Sequence, residues 1–271
     1  MGLRVNTNLF SLRAQQDLLD VSSRLGGNYS RLASGLRIVS AADDAAGLGI
    51  SERMRSQVRS LGQAARNTQD GMSLVQTAEG SINEISNNLN RMRELAIQSA
   101  NGTLSTEDRE IIDVEFQALI DEIDRIATQT EFNAISILDG SSSLDIQVGI
   151  DSGDVIEIEA VDLQSATLGI DTLAVDTDTD ASSALAALDT AINSVNTERG
   201  SLGAIQNRLS SAYRSVQNVR EGLTAAESRI RDVDVAEESA DLTRNSILQQ
   251  AAVSILSQAN VQPQLALSLL G

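Results

Sequence analysis

Residues 202–230 read LGAIQNRLSSAYRSVQNVREGLTAAESRI, with Leu202, Leu209, Val216, Leu223 and Ile230 every seventh residue. The row extends backwards through Val195 and Leu188. A companion row, Ile205, Ala212, Val219, Ala226 and Val233, makes the spacing alternate three and four. That alternation places an apolar seam on one side of a helix and requires a partner helix against it. No proline interrupts the run, so about fifty residues at 1.5 Å each predict a rod of roughly 75 Å.

A matching seam lies earlier in the chain. Met54, Leu61, Thr68, Val75, Ile82, Leu89 and Ala96 are also seven apart. Val58, Ala65 and Met72 accompany the first half, and Ala78, Ile85 and Met92 the second, so the companion row changes side near residue 75. Ile112, Phe116, Leu119, Ile123 and Ile126 mark a shorter helix. The fold class expected is mainly α: long antiparallel coiled-coil rods in a helical bundle, with one small β-hairpin region. The hairpin is predicted near 143–161, where Leu144, Ile146, Val148 and Ile150 and then Ile156 and Ile158 alternate with polar residues around Asp151-Ser152-Gly153-Asp154.

Helix ends are marked by capping chemistry. Ser40 with Asp43, and Ser105 with Asp108, have capping-box spacing. Thr179 or Asp180 is the expected cap of the last rod. Asn101-Gly102 predicts a helix stop, and with Thr103 it also fits a glycosylation sequon.

Composition excludes whole classes of chemistry. The 271 residues include no Cys, no His and no Trp, and every basic residue is Arg. Thiolate and imidazole metal sites, His-based triads and the phosphate-loop lysine are therefore absent, and neither enzymatic activity nor a cofactor or metal is expected. A net charge of −18 argues against nucleic acid as partner. Asp176-x-Asp178-x-Asp180 has a calcium-loop spacing, but Ala181 and Ala187 stand where such a loop needs Gly and Glu, so a solvated acidic linker is the better reading. No segment is apolar and long enough to predict membrane insertion. Met1 to Gln16 lack the apolar core of a cleaved signal peptide, which alone would predict the cytoplasm.

The ends of the chain are unusually apolar. Leu18, Leu25, Leu32 and Leu36 line the first forty residues. Ile247, Leu248, Ala251 and Ile255, then Leu269 and Leu270, line the last twenty-five. Helices of this kind would be marginal alone, which suggests that other copies of the chain bury them.

Residues 30–38 (SRLASGLRI) followed by 40–50 (SAADDAAGLGI) closely resemble the N-terminal signature of bacterial flagellins. Residues 90–101 (NRMRELAIQSAN), 122–133, 202–208 (LGAIQNR) and 247–271 resemble later blocks of that family, in its order. The resemblance implies a short flagellin without the variable outer domains. An inner domain would pair residues 1–44 with 234–271, and residues 45–233 would form the rods and hairpin. It implies a structural subunit of the flagellar filament, polymerising with copies of itself as its terminal helices fold. It further implies export by the flagellar type III apparatus without a cleaved signal peptide, a secretion chaperone, and contact with cap and hook-associated proteins. Arg91, Leu95 and Glu115 match the residues with which similar flagellins, as monomers, meet the animal innate immune receptor Toll-like receptor 5. A hook–filament junction protein is the alternative within the same architecture.

Overall fold

The computed structural model describes residues 7–141 and 143–268, with side chains up to 261. Leu269 and Leu270, expected to join the terminal helices, lie outside the described residues. The elements are α1 (Leu9–Ser34), α2 (Ala45–Ser99), α3 (Thr106–Gln129), β1 (Glu131–Phe132), β2 (Ile135–Ser136), β3 (Leu144–Gln147), β4 (Val155–Ile158), α4 (Ser165–Leu168), α5 (Asp178–Arg231) and α6 (Val235–Ser268). They form two compact units. One comprises residues 1–56 and 222–271, the other residues 57–221.

The unit of residues 57–221 holds the main core. The two long seams meet as the spacing requires. Val75, Ile82, Leu89 and Ala96 of α2 and Leu188, Val195, Leu202 and Leu209 of α5 are buried together with Ile112, Phe116 and Ile123 of α3. Arg93 pairs with Asp189 at 2.7 Å, and Gln69, twenty-four residues back, meets Tyr213, twenty-four residues on. The antiparallel register of α2 and α5 therefore does not slip over that span. The companion row on α5 is the exception. Val219 is 50 % exposed, because buried positions on α5 end at Val216.

Beta structure covers the bundle. β3 pairs with β4 antiparallel, Leu144 opposite Ile158 and Ile146 opposite Ile156, so one face of the hairpin is apolar and lies on the core. Gly71 makes room for it, since a Cβ there would lie 3.1 Å from Ile146. This contact sits where the companion row of α2 changes side. A second hairpin, β1 with β2, was not expected. Asn133 and Ala134 turn it with φ of 52° and 62°, a conformation that neither residue type announces strongly enough to be read in advance.

The caps follow the expected chemistry with two shifts of position. Ser105 and Asp108 form the full capping box of α3. For α2 the cap is Asp44, whose Oδ1 accepts from the Gly47 N–H at 2.8 Å. Ser40 instead donates its N–H and hydroxyl to Asp43, closing the turn ahead of the helix. For α5 the cap is Thr177, whose Oγ1 accepts from the Asp180 N–H at 3.1 Å, in place of Thr179 or Asp180. Both shifts reflect the first residue whose backbone leaves the helical region, which hydrophobic spacing does not specify.

Candidate functional site: an unpartnered helical face

In the unit of residues 1–56 and 222–271, α1 and α6 lie antiparallel. The contacting rows have heptad spacing. On α1 they are Ser11, Ala14, Leu18, Leu25, Asn28 and Leu32; on α6, Glu238, Leu242, Asn245, Gln249, Ala252, Leu256 and Ala259. Many of these side chains are polar. Asn28, 2 % exposed, donates to Glu238 and accepts from Asn245 Nδ2 at 2.7 Å. Arg31 Nε donates to the same Glu238 oxygen at 2.8 Å. Gln249 reaches Ser22, and Ser11 donates to Asn260 at 2.8 Å. Buried polar pairs of this sort fix register at a cost in stability.

Several large apolar side chains point the other way. Ile247, Leu248 and Ile255 are 60 %, 44 % and 57 % exposed, and Ala251 between them is exposed as well. Leu248, Ala251 and Ile255 follow three–four spacing and form a stripe on the side of α6 away from α1. Leu9, Phe10, Leu12 and Leu19 are likewise exposed on α1. The predicted residues thus divide. Leu25 is buried in the α1–α6 contact and Leu18 and Leu32 half-buried in it, whereas Ile247, Leu248, Ala251 and Ile255 face solvent. The polar members of the α6 row, Glu238, Asn245 and Gln249, were not read from the sequence, although the three–four spacing from Glu238 to Ala259 was there to find them.

Leu36 serves neither row. Half-buried, it lies in a short antiparallel bridge with Asp232, flanked by Val233 N–H to Gly35 O at 3.0 Å and Arg37 N–H to Arg231 O at 2.6 Å. Gly35, at φ 71°, ends α1 in the left-handed conformation that permits this bridge. The Arg37 guanidinium donates to Ile230 O, and Arg231 pairs with Glu52. The connections α1–α2 and α5–α6 are thereby tied to each other.

Charge separates the two units. Residues 1–56 with 222–271 carry ten Arg against eleven acids, and residues 57–221 carry ten against twenty-seven. The nearly neutral unit is also the one with the bare apolar stripe. Three carboxylates bind in ways that favour their charged forms. The Ser40 N–H and hydroxyl hold Asp43 below its ordinary 3.8. Ser141 does the same for Asp139, and the Arg125 guanidinium holds Glu122 below 4.5. Depressed folded values mean stability that is complete above the ordinary pKa and lost as pH falls through the folded one. Thermal melts should therefore be unaffected by these groups from pH 8 to 6 and shift downward as pH falls below about 4. Replacing all three by the amides should flatten that acid limb; an unchanged limb would rule them out as its source.

Arg91 and Glu115 are brought together on the surface between α2 and α3, at 2.8 Å, and Arg91 also meets Glu94 at 3.1 Å. Leu95 is not with them. At 2 % exposure it belongs to the core, because its position falls on the buried side of α2 with Met92 and Ala96. In this structure it offers a receptor no surface.

Family models of the bacterial flagellin N-terminal helical region and C-terminal helical region match residues 5–143 and 185–270. The chain is 45 % identical to a flagellin of Halalkalibacterium halodurans over 269 residues, 98 % of this chain and 99 % of that one. It is 41 % identical to a flagellin of Bacillus subtilis over 303 aligned residues, 99 % of this chain and all of that one. The crystal structure of Bacillus cereus flagellin superposes with a TM-score of 0.52 at 39 % identity, covering 56 % of this chain and 88 % of that one. A putative flagellar hook-associated protein from Vibrio parahaemolyticus superposes at 0.60 with 13 % identity, covering 70 % of this chain and all of that one, which is a likeness of fold alone.

Proposed function

The chain belongs to the bacterial flagellins, structural proteins rather than enzymes, and we propose that it builds the extracellular flagellar filament by burying the bare stripe of its terminal helices among neighbouring copies. The observation that carries this reading is the α1–α6 pair, whose contact mixes leucine and alanine with buried polar side chains while Ile247, Leu248, Ala251 and Ile255 stay exposed outside it. Apolar side chains left half-exposed on one chain gain about 25 cal/mol per Å² when covered. The partly polar contact between α1 and α6 limits the stability of the pair on its own, so these helices gain order when copies cover the stripe. Heterologous contacts that do not close a ring extend such an assembly into a filament. The acidic surface of the unit of residues 57–221 supports a solvated position for it.

Ordering linked to assembly also fits export of an unfolded chain through the flagellar type III apparatus, with a secretion chaperone holding the C-terminal segment and cap and hook-associated proteins receiving it. Among the described residues no helix is long and apolar enough to cross a membrane. Circular dichroism of the monomer and of seeded filaments tests the reading. Helix content should rise on polymerisation by roughly the terminal residues, and a chain lacking both ends should stay monomeric with the lower value. Filaments from that shortened chain would refute it.

The exposed Arg91–Glu115 pair supports a second role, recognition of the monomer by Toll-like receptor 5. That contact uses Arg91 and Glu115 without Leu95. Arg91→Ala should weaken receptor activation by purified monomer at least about tenfold, the value of a charge-assisted contact. Unchanged activation would remove the pair from that role.

A further inference from the structure

We propose that Asn101 is a deamidation site built into the turn between α2 and α3, converting spontaneously to aspartate and isoaspartate in the folded chain. Asn101 and Gly102 are exposed, and the sequence holds no other Asn-Gly pair. Nothing lies within 4 Å of the position where a Cβ on Gly102 would be, so a side chain can be added there without a clash. Among the described residues its N–H makes no hydrogen bond. The two carbonyls of Asn101 are both polarised. Arg109 Nη2 donates to the backbone oxygen at 3.1 Å, while its Nε holds Ser99 O at 2.9 Å. The Thr103 N–H donates to the side-chain Oδ1 at 3.3 Å.

These contacts assist each half of the reaction. The Asn101 carbonyl and the Gly102 nitrogen form one peptide group, so a guanidinium on that oxygen stabilises the anion left when hydroxide removes the N–H proton. The nitrogen then attacks Asn101 Cγ. Negative charge gathers on Oδ1, where the Thr103 N–H receives it. The bond from Cγ to the side-chain nitrogen breaks, and ammonia leaves with a proton from water. Water opens the cyclic imide at either carbonyl, giving aspartate or isoaspartate, with no oxidation or reduction. The product places a carboxylate after the end of α2, beside Arg109, and the isoaspartate form adds a methylene to the backbone before α3.

The full-length protein, incubated at 37 °C near pH 9, tests this by mass spectrometry of the tryptic peptide 94–109. That peptide should gain about 1 Da over days and become a substrate for isoaspartyl methyltransferase. Gly102→Ala should slow the gain at least tenfold, and Arg109→Gln, whose tryptic peptide becomes 94–125, severalfold, with far-ultraviolet circular dichroism confirming the fold of each. A peptide that stays intact in the folded chain while the same chain in urea converts would overturn the proposal. Conversion of Arg109→Gln as fast as wild type would overturn the part assigned to the guanidinium.

Discussion

Leu248→Asp combined with Ile255→Asp should raise the concentration at which filaments persist by roughly a thousandfold, leaving the monomer's melting profile nearly unchanged. The two residues lie seven apart on the stripe of α6 that faces away from α1. Covering a leucine or isoleucine that is about half exposed is worth on the order of 1 kcal/mol each. Each carboxylate in the same contact adds a desolvation cost of at least about 1–3 kcal/mol, the range for a neutral polar group. Together these come to at least roughly 4 kcal/mol per subunit, and each 1.4 kcal/mol is about tenfold in an equilibrium constant. Within one chain both side chains face water, so the substitutions disturb only helix propensity, by a few tenths of a kcal/mol. Sedimentation of seeded polymers across a concentration series reads the threshold. A threshold within threefold of wild type would mean that this stripe is not an interface.

Phe116→Ala should have the opposite profile, with a large loss of monomer stability and no direct effect on the stripe. Phe116 is fully buried in the core shared by α2, α3, α5 and the β3–β4 hairpin. Removing a buried phenyl ring costs about 3–5 kcal/mol, part transfer energy and part cavity. For a unit of residues 57–221 this corresponds to roughly ten degrees in Tm. Two positions away, Val114 is largely exposed on the same helix, and Val114→Ala should change stability by no more than about 0.5 kcal/mol. Scanning calorimetry of the two variants side by side separates them, and equal shifts would contradict the assignment of the buried face of α3.

Much of this architecture is legible in the chain because hydrophobic spacing is a local property with a fixed period. Seven-residue rows between Met54 and Ala96 and between Leu188 and Val216 demand long seamed helices whatever lies around them. Alternation from Leu144 to Ile158 demands a strand pair with one apolar face. Residues 30–50 carry the family resemblance directly. The absence of His, Cys and Lys was likewise readable, because excluding a chemistry requires only counting.

What escaped the sequence is each feature set by a contact between distant residues. An apolar side chain at helical spacing can face its partner helix or the solvent, and the chain alone does not say which. Leu95 and Ile247 look equally available in the sequence, yet the first is sealed in the core and the second is bare. The difference is made by α3 and α5 packing on one side of α2, whereas the row from Glu238 to Ala259, joined at one end to Asn28 and Arg31, takes the contact with α1 and leaves Ile247, Leu248, Ala251 and Ile255 outward. Rods, hairpin and family were therefore determined by the sequence itself. The tertiary structure decided which face of each rod is covered, because burial depends on where the rest of the chain comes to rest, and periodicity constrains only the face that needs covering.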